Sequence, residues 1–126
     1  MDSIEIIGTA KVPAVIMDAT LGLIELKGRS IPESSTKFYD PLFDWVEKYC
    51  KSPSKQTVVN VNLEYFNSGS FKCILKILAK LESIHTVSSD VVVNWYYEED
   101  DEDMLEACEV FRSIVRLPFK EIVIEL

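Results

Sequence analysis

The sequence predicts an α/β fold, a single domain in which a mixed central sheet of about six strands carries three main helices. Short apolar runs rich in β-branched residues recur along the chain, which is typical of strands. Three longer segments repeat their apolar residues at helical spacing and alternate with the later strands, which favours parallel strands joined by right-handed crossovers. With 126 residues the chain has room for one continuous core, so we expect one domain over residues 1–126 in the order βββαβαβαβ.

Three strands are predicted before the first helix. They cover residues 4–8, 14–18 and 23–27, which are rich in aliphatic residues. Residues 19–22 end in glycine and are expected to form the hairpin turn between the second and third strands. Residues 28–37 are polar and contain a proline, so we expect a loop there.

The first helix is predicted to begin at Asp40, with Pro41 in the first helical position. Apolar residues then fall at i, i+3, i+4 and i+7, the spacing of one buried helical face. That face consists of Leu42, Trp45, Val46 and Tyr49. The helix is expected to end near Ser52.

A strand, a turn and a second helix are predicted next. The strand covers residues 57–66, the hydroxyl-rich turn covers 67–70 and the helix covers 71–81. The strand alternates apolar and polar residues, and the helix carries an apolar stripe. That stripe consists of Phe71, Ile74, Leu75, Leu78 and Leu81.

The last part of the chain is predicted to form a strand, a third helix and a final strand. The first of these strands covers residues 91–97, and the acidic run Glu98–Asp103 then leads into the helix, where the dipole favours negative charge. Pro118 ends the helix before a strand over 119–126. The inward residues of the helix are expected to be Met104, Ala107, Cys108, Phe111, Ile114 and Val115.

The composition excludes several classes of function. A net charge of −8 argues against a nucleic-acid surface, which needs a basic stripe. No run approaches the ~20 apolar residues of a membrane-spanning helix, and the acidic start of the chain does not resemble a signal peptide. The three cysteines are odd in number and widely spaced, as expected for reduced core thiols. We therefore predict a cytoplasmic protein that binds neither nucleic acid nor membrane.

The sequence contains few residues in patterns that are typical of catalysis. The one histidine, His85, lies in a polar turn where we expect it to be solvated, and the four glycines do not form a phosphate-binding loop. The cysteines lack the paired spacing of a zinc site. We therefore predict no catalytic residue, cofactor or metal. The alternative is a small metal-binding or enzymatic domain that uses Glu33 and the acidic run Glu98–Asp103, although a solvated helix cap also explains that run.

The turn over residues 67–70 is the strongest candidate for a functional site. It precedes a predicted helix, where backbone N–H groups lack partners and the dipole favours negative charge. In one interpretation, Ser68 or Ser70 caps the helix. In the other, one of these hydroxyls is a regulated phosphoacceptor, and its phosphorylation acts on whatever docks over the turn. Tyr65 and Phe66 are either an apolar contact beside the turn or part of the core.

Four ordered segments resemble the signature of the SiaC family of bacterial regulatory phosphoproteins, and together they span nearly the whole chain. Residues 63–70, LEYFNSGS, are similar to the family's LEYFN-(Thr/Ser)-(Ser/Gly)-Ser motif. Residues 28–33, GRSIPE, are similar to its G-x-S-(Tyr/Ile)-P-E loop. Residues 38–42, FYDPL, resemble part of its first helix, and residues 95–101, WYYEEDD, resemble its aromatic–acidic junction.

The resemblance implies a fold related to STAS domains, the anti-sigma factor antagonists, and a function as a partner switch. A serine/threonine kinase of the anti-sigma type would phosphorylate the turn, and a PP2C-like phosphatase would reverse the modification. The unmodified protein would bind and activate a diguanylate cyclase, which raises cyclic-di-GMP and favours aggregation or biofilm. By motif position the acceptor is Ser68, although the residues alone leave Ser70 open.

We therefore predict a non-enzymatic protein whose docking face surrounds the phosphorylated hydroxyl. The predicted face consists of Asn67, Ser68, Gly69, Ser70, Lys72 and Lys76. The two lysines lie one and two turns into the helix, where they would pair with acidic groups of a partner. A phosphoryl group would bring an unpaired charge into a contact built for a neutral hydroxyl and so release the partner. A purely structural subunit is the third possibility.

Overall fold

The structure, a computed structural model, describes residues 1–125 and contains six strands and three helices in the predicted order. The strands are β1 (Ile4–Ile6), β2 (Ala14–Asp18), β3 (Leu23–Ser30), β4 (Gln56–Phe66), β5 (Asp90–Glu98) and β6 (Phe119–Ile124). The helices are α1 (Ser35–Tyr49), α2 (Ser68–Glu82) and α3 (Glu102–Ile114). None of the three is long and apolar enough to span a membrane. Leu126, the last residue of the predicted final strand, lies outside the described residues.

The strands form one mixed sheet in the order β1-β2-β3-β4-β5-β6. β1, β2 and β3 pair antiparallel, whereas β3, β4, β5 and β6 pair in parallel through the three helical crossovers. The predicted mixed sheet with three helices is therefore confirmed. The predicted hairpin is confirmed as well, because Asp18 pairs with Leu23 and Gly22 adopts a φ of 64°. Since β3, β4 and β5 run in parallel, α1, α2 and α3 all begin at the same edge of the sheet.

The core lies between one face of the sheet and the helices. Alternate residues of β4 are buried, as shown by Val59, Val61 and Leu63, and β5 repeats this pattern. The predicted helical faces are mostly buried. Their fully buried members include Leu42, Val46, Tyr49, Ile74, Leu78, Leu81, Cys108 and Phe111. The inward placement of Ile114 was wrong, because α3 ends there with this side chain 51% exposed and Val115 takes the buried position.

α1 begins at Ser35, so the predicted start at Asp40 was wrong. Ser34 caps the helix, because its Oγ accepts a hydrogen bond from the Lys37 amide at 3.3 Å. Pro41 lies inside the helix, where it removes one i→i−4 hydrogen bond. The longer helix compensates by burying Tyr39, which is only 1% exposed. The predicted loop over 28–37 is correspondingly short, since β3 continues to Ser30.

α2 begins at Ser68, three residues earlier than predicted. Its N-cap is Asn67, whose Oδ1 accepts a hydrogen bond from the Ser70 amide at 2.9 Å. The interpretation in which Ser68 or Ser70 is the capping residue is therefore wrong. Both serines lie inside the first helical turn.

A β-bulge at the end of β4 reverses the strand's alternation. Gly28 of β3 pairs with Leu63 and the next residue, Arg29, pairs with Tyr65, so Glu64 is the extra residue. After the bulge, Phe66 packs against the core, whereas Tyr65 is 52% exposed. The two aromatic residues before the turn therefore have different environments.

The acidic run ends β5 and begins α3. Asp101 caps α3, because its Oδ1 accepts a hydrogen bond from the Met104 amide at 3.0 Å. Glu102 and Asp103 occupy the first helical turn, where the dipole favours their charge. The helix-cap interpretation of this run is confirmed.

Candidate functional site

The first turn of α2 presents an exposed hydroxyl at the N-terminus of a helix. Ser68 occupies the first helical position and is exposed. The first main-chain hydrogen bond of the helix runs from the Phe71 amide to the Asn67 carbonyl at 2.9 Å, so the amides of Ser68 and Gly69 precede the intrahelical bonds. The hydroxyl therefore lies at the positively polarised end of α2, where an added negative charge is favourable.

Ser70 lies two residues further on and has no exposed surface. Its Oγ donates a hydrogen bond to the Ser30 carbonyl at 3.0 Å and accepts one from the Ser30 Oγ at 2.8 Å. Its inclusion in an exposed docking face was therefore wrong, because β3 covers this side chain. Of the two serines that the sequence left open as phosphoacceptors, only Ser68 is accessible to another protein.

A buried chain of hydroxyl groups lies beneath the turn. The Tyr39 hydroxyl lies 2.6 Å from the Ser30 Oγ and is the donor of this pair, since Ser30 already donates to Ser70. Burial raises the pKa of Tyr39 to about 12, so the phenol keeps its proton at neutral pH. The Ser30 carbonyl also accepts a hydrogen bond from the Asn67 amide at 3.1 Å. Sequence reasoning missed the roles of Ser30 and Tyr39, because Ser70, which bonds to Ser30, lies forty residues further along the chain.

Gly69 brings the starts of α1 and α2 together. A Cβ atom at this position would clash with the Ser35 Oγ and lie 3.0 Å from the Ser35 Cβ. Ser35 is the first residue of α1, so the positively polarised ends of two helices are adjacent beside Ser68. This site consequently favours negative charge more than one helix terminus would.

The two predicted lysines extend the exposed surface along α2. Lys72 and Lys76 follow Ser68 at i+4 and i+8, on the same side of the helix, and both are exposed. Lys76 reaches across to α1, where its Nζ lies 4.1 Å from the centroid of the Phe43 ring. The Lys72 ammonium forms no salt bridge among residues 1–125.

Aromatic residues support the turn from below. Phe66 at the end of β4 belongs to a cluster that joins α2, β5 and α3. Its other members are Phe71, Trp95 and Phe111, and the closest pair of ring centroids, Phe71–Phe111, is 4.7 Å apart. Phe66 is thus a core residue, and Tyr65 is the aromatic side chain that a partner can reach. The bulge at Glu64 causes this division, and no local pattern of residues indicates it.

Among residues 1–125, the residues of the alternative hypothesis do not form a metal site. Glu33 is exposed and lies 4.0 Å from the Lys11 ammonium. Within residues 1–125, no three His, Cys, Asp or Glu side chains are grouped so that they could hold a metal ion. His85 was expected to be solvated, but it is half-buried and its Nδ1 accepts a hydrogen bond from the Val91 amide at 3.0 Å. The histidine therefore supports the start of β5.

Comparison with known proteins gives consistent matches over nearly the whole chain. The family model described as "SiaC family regulatory phosphoprotein" matches residues 6–124. An uncharacterised protein of Pseudomonas aeruginosa is 31% identical over 119 residues, which is 94% of each chain. The solved structure of SiaC from Pseudomonas aeruginosa has a TM-score of 0.89 at 29% identity and covers 98% of this chain and 100% of its own. A structure of the diguanylate cyclase SiaD in complex with its activator SiaC, from the same species, has a TM-score of 0.89 at 30% identity and covers 96% of this chain and 99% of the matching one.

Proposed function

The chain belongs to the SiaC family of regulatory phosphoproteins, and from this premise we propose that it is a non-enzymatic binding protein controlled by phosphorylation of Ser68. One observation carries the proposal. Ser68 is an exposed hydroxyl at the N-terminus of α2, whereas Ser70 in the same turn is fully buried. A kinase could therefore reach Ser68 without opening the fold.

The position suits a reversible modification, because the fold tolerates the added charge. A phosphoryl group brings roughly −1.5 to −2 charges at neutral pH. Next to Ser68 lie the amides of Ser68 and Gly69, which precede the intrahelical hydrogen bonds of α2, and the start of α1 lies beside them at Ser35. Their partial positive charges stabilise the phosphate without a structural change. The phosphate therefore changes the charge of the surface that a partner contacts, and leaves the fold unchanged.

The target that we propose is a diguanylate cyclase, as for the SiaC that activates SiaD in the solved complex. The unphosphorylated protein would bind and activate the cyclase, and so raise cyclic-di-GMP. The docking face consists of Tyr65, Asn67, Ser68, Gly69, Lys72 and Lys76. Phosphorylation places a charged group in a contact that is otherwise formed by a neutral hydroxyl, and an unpaired charge at an interface costs affinity.

Reversible phosphorylation requires two further partners. A serine/threonine kinase would modify Ser68 and a PP2C-like phosphatase would restore the hydroxyl. Both enzymes need an accessible acceptor, and the exposure of Ser68 supplies it.

The affinity of the purified protein for the diguanylate cyclase of its own organism tests the proposal. We expect the unmodified protein and Ser68→Ala to bind, and Ser68→Asp to bind at least about tenfold more weakly. Ser88→Asp is the matched control, since Ser88 is an exposed serine in the turn after α2 and its change adds the same charge elsewhere. If Ser68→Asp bound as tightly as Ser68→Ala, the switch would be refuted.

A further inference from the structure

We propose that Ser30 and Tyr39 are positioning residues, whose buried hydroxyls hold the first turn of α2 in the geometry that presents Ser68 to other proteins. Neither residue is exposed, so neither contacts a kinase or a target directly. They act through Ser70 and Asn67, which flank Ser68. The structural part of this inference stands on the contacts alone, and its consequence for recognition rests on the proposed function.

The hydrogen bonds of the network converge on one carbonyl group. The Ser30 carbonyl accepts one hydrogen bond from the Asn67 amide at 3.1 Å and one from the Ser70 Oγ at 3.0 Å. These donors lie one residue before and two residues after Ser68. The exposed Ser68 thus lies between two residues that both bond to the Ser30 carbonyl, at the end of the neighbouring strand β3.

The hydroxyl of Tyr39 completes the chain of donors. Tyr39 donates to the Ser30 Oγ, Ser30 donates to the Ser70 Oγ, and Ser70 donates to the Ser30 carbonyl. Each hydroxyl therefore has one defined orientation, and no buried side-chain N or O atom within residues 1–125 lacks a partner. Removing the phenolic oxygen would leave the Ser30 Oγ without its donor, weaken the hydrogen bond that Ser30 donates to Ser70, and so loosen the turn.

A second buried cluster of hydroxyl groups lies away from Ser68. The Tyr49 hydroxyl lies 2.7 Å from the Thr57 Oγ1, which lies 2.7 Å from the Ser89 Oγ. Tyr39 and Tyr49 both belong to α1 and both are 1% exposed. Thr57 is near the amino end of β4, whereas α2 begins after its carboxyl end, so this cluster supports the opposite edge of the sheet. It provides a control that is matched in chemistry and burial but remote from Ser68.

Amide hydrogen exchange in Tyr39→Phe and Tyr49→Phe tests the inference, because each change removes one buried hydroxyl and keeps the ring. We expect both variants to lose thermal stability. In Tyr39→Phe alone, the amides of Ser70 and Phe71 should exchange at least about fivefold faster than in the wild-type protein. Equal protection of these amides in the two variants would overturn the inference.

A pair of serine variants keeps the test decisive if Tyr39→Phe does not fold. Ser70→Ala removes the hydroxyl that contacts Ser30, and Ser89→Ala removes one from the remote cluster. Faster exchange at Phe71 is expected for Ser70→Ala and not for Ser89→Ala. The same rate in both would count against a positioning role.

The functional consequence is read from the phosphorylation of Ser68 in the cells that make the protein. Intact-mass and peptide analysis should show a smaller phosphorylated fraction for Tyr39→Phe than for Tyr49→Phe. If the wild-type protein carries no phosphate on Ser68, the proposed function fails, whereas the exchange rates still decide whether Ser30 and Tyr39 hold the turn. If the wild-type protein is phosphorylated and the two variants match in both measurements, the positioning role fails and the proposed function stands.

Discussion

The backbone carbonyl of Ser30 and the side-chain hydroxyl of Ser70 are joined by a hydrogen bond of 3.0 Å between residues that are forty positions apart. This contact connects the end of β3 to the first turn of α2. It explains why two serines in the same turn differ so strongly in exposure: Ser70 points into the protein, and Ser68 is left at the surface.

The N-cap of α2 should contribute measurably to stability. Asn67→Ala removes the acceptor of the Ser70 amide, and we expect it to lower the free energy of unfolding by about 1 kcal/mol, as for other N-cap deletions. Asn67→Asp keeps an acceptor oxygen and adds a negative charge at the helix N-terminus, so it should be at least as stable as the wild-type protein. Urea unfolding of the two variants measures this. An Asn67→Asp variant as unstable as Asn67→Ala would show that the cap is not the cause.

Gly69 should not tolerate a side chain while Ser35 is present. Gly69→Ala would bring its Cβ into a clash with the Ser35 Oγ, and the resulting overpacking should cost about 1–3 kcal/mol. Ser35→Ala removes that oxygen, so the double variant should recover part of the loss. A double-mutant cycle of unfolding free energies gives the coupling, since the two residues are in contact. Strictly additive losses would contradict the proposed contact between the starts of α1 and α2.

Tyr65 should matter for binding and little for stability. Its ring is 52% exposed beside the turn, and exposed tyrosines are frequent anchors of protein interfaces. We expect Tyr65→Ala to weaken binding to the cyclase at least about tenfold, with an almost unchanged melting temperature. Val87→Ala is a suitable control, because Val87 is 82% exposed in the turn that follows α2. A Tyr65→Ala variant with wild-type affinity would remove this residue from the docking face.

Stability should fall in alkaline solution. Burial raises the pKa of Cys108 from 9.0 to about 11 and that of Tyr39 from 10.0 to about 12. Between those values the folded chain keeps a proton that the unfolded chain has lost, so stability that is complete below pH 9 decreases as the pH rises. Urea unfolding under reducing conditions from pH 8 to pH 12 measures the decrease.

Two variants test which side chain causes the loss of stability at each pH. Cys108→Ala should flatten the lower part of the profile, and Tyr39→Phe should flatten the part above about pH 10. A wild-type profile that stays level up to pH 12 would contradict both assignments.

Local patterns in the sequence predicted most of the fold. The hydrophobic alternation of β4 and the helical spacing of α1, α2 and α3 depend on residues that are close in the chain, so these elements could be recognised without the structure. The start of α1 could not. Asp40 and Pro41 form a good local start signal, but the burial of Tyr39 against Ser30 favours a longer helix. This tertiary contact and the cap at Ser34 together outweighed the start signal at Asp40.

The candidate site was predicted only in part, for the same reason. The place of Ser68 in the turn and that of Lys72 on the helix after it follow from the local pattern and from the family motif. The division between Tyr65 and Phe66 does not, because it results from an extra residue, Glu64, in the pairing of β4 with β3. One inserted residue changes which side chain faces the core, and only the neighbouring strand reveals it.

The sequence by itself determined the order of the elements, the parallel arrangement of the later strands and the place of a hydroxyl-bearing turn before α2. Each of these depends on periodicity or motif within a short segment. Tertiary structure alone decided that Ser70 is enclosed by Ser30 and Tyr39 while Ser68 faces solvent. The physical reason is that a buried hydroxyl needs hydrogen-bond partners, and folding supplied them here from β3 and α1.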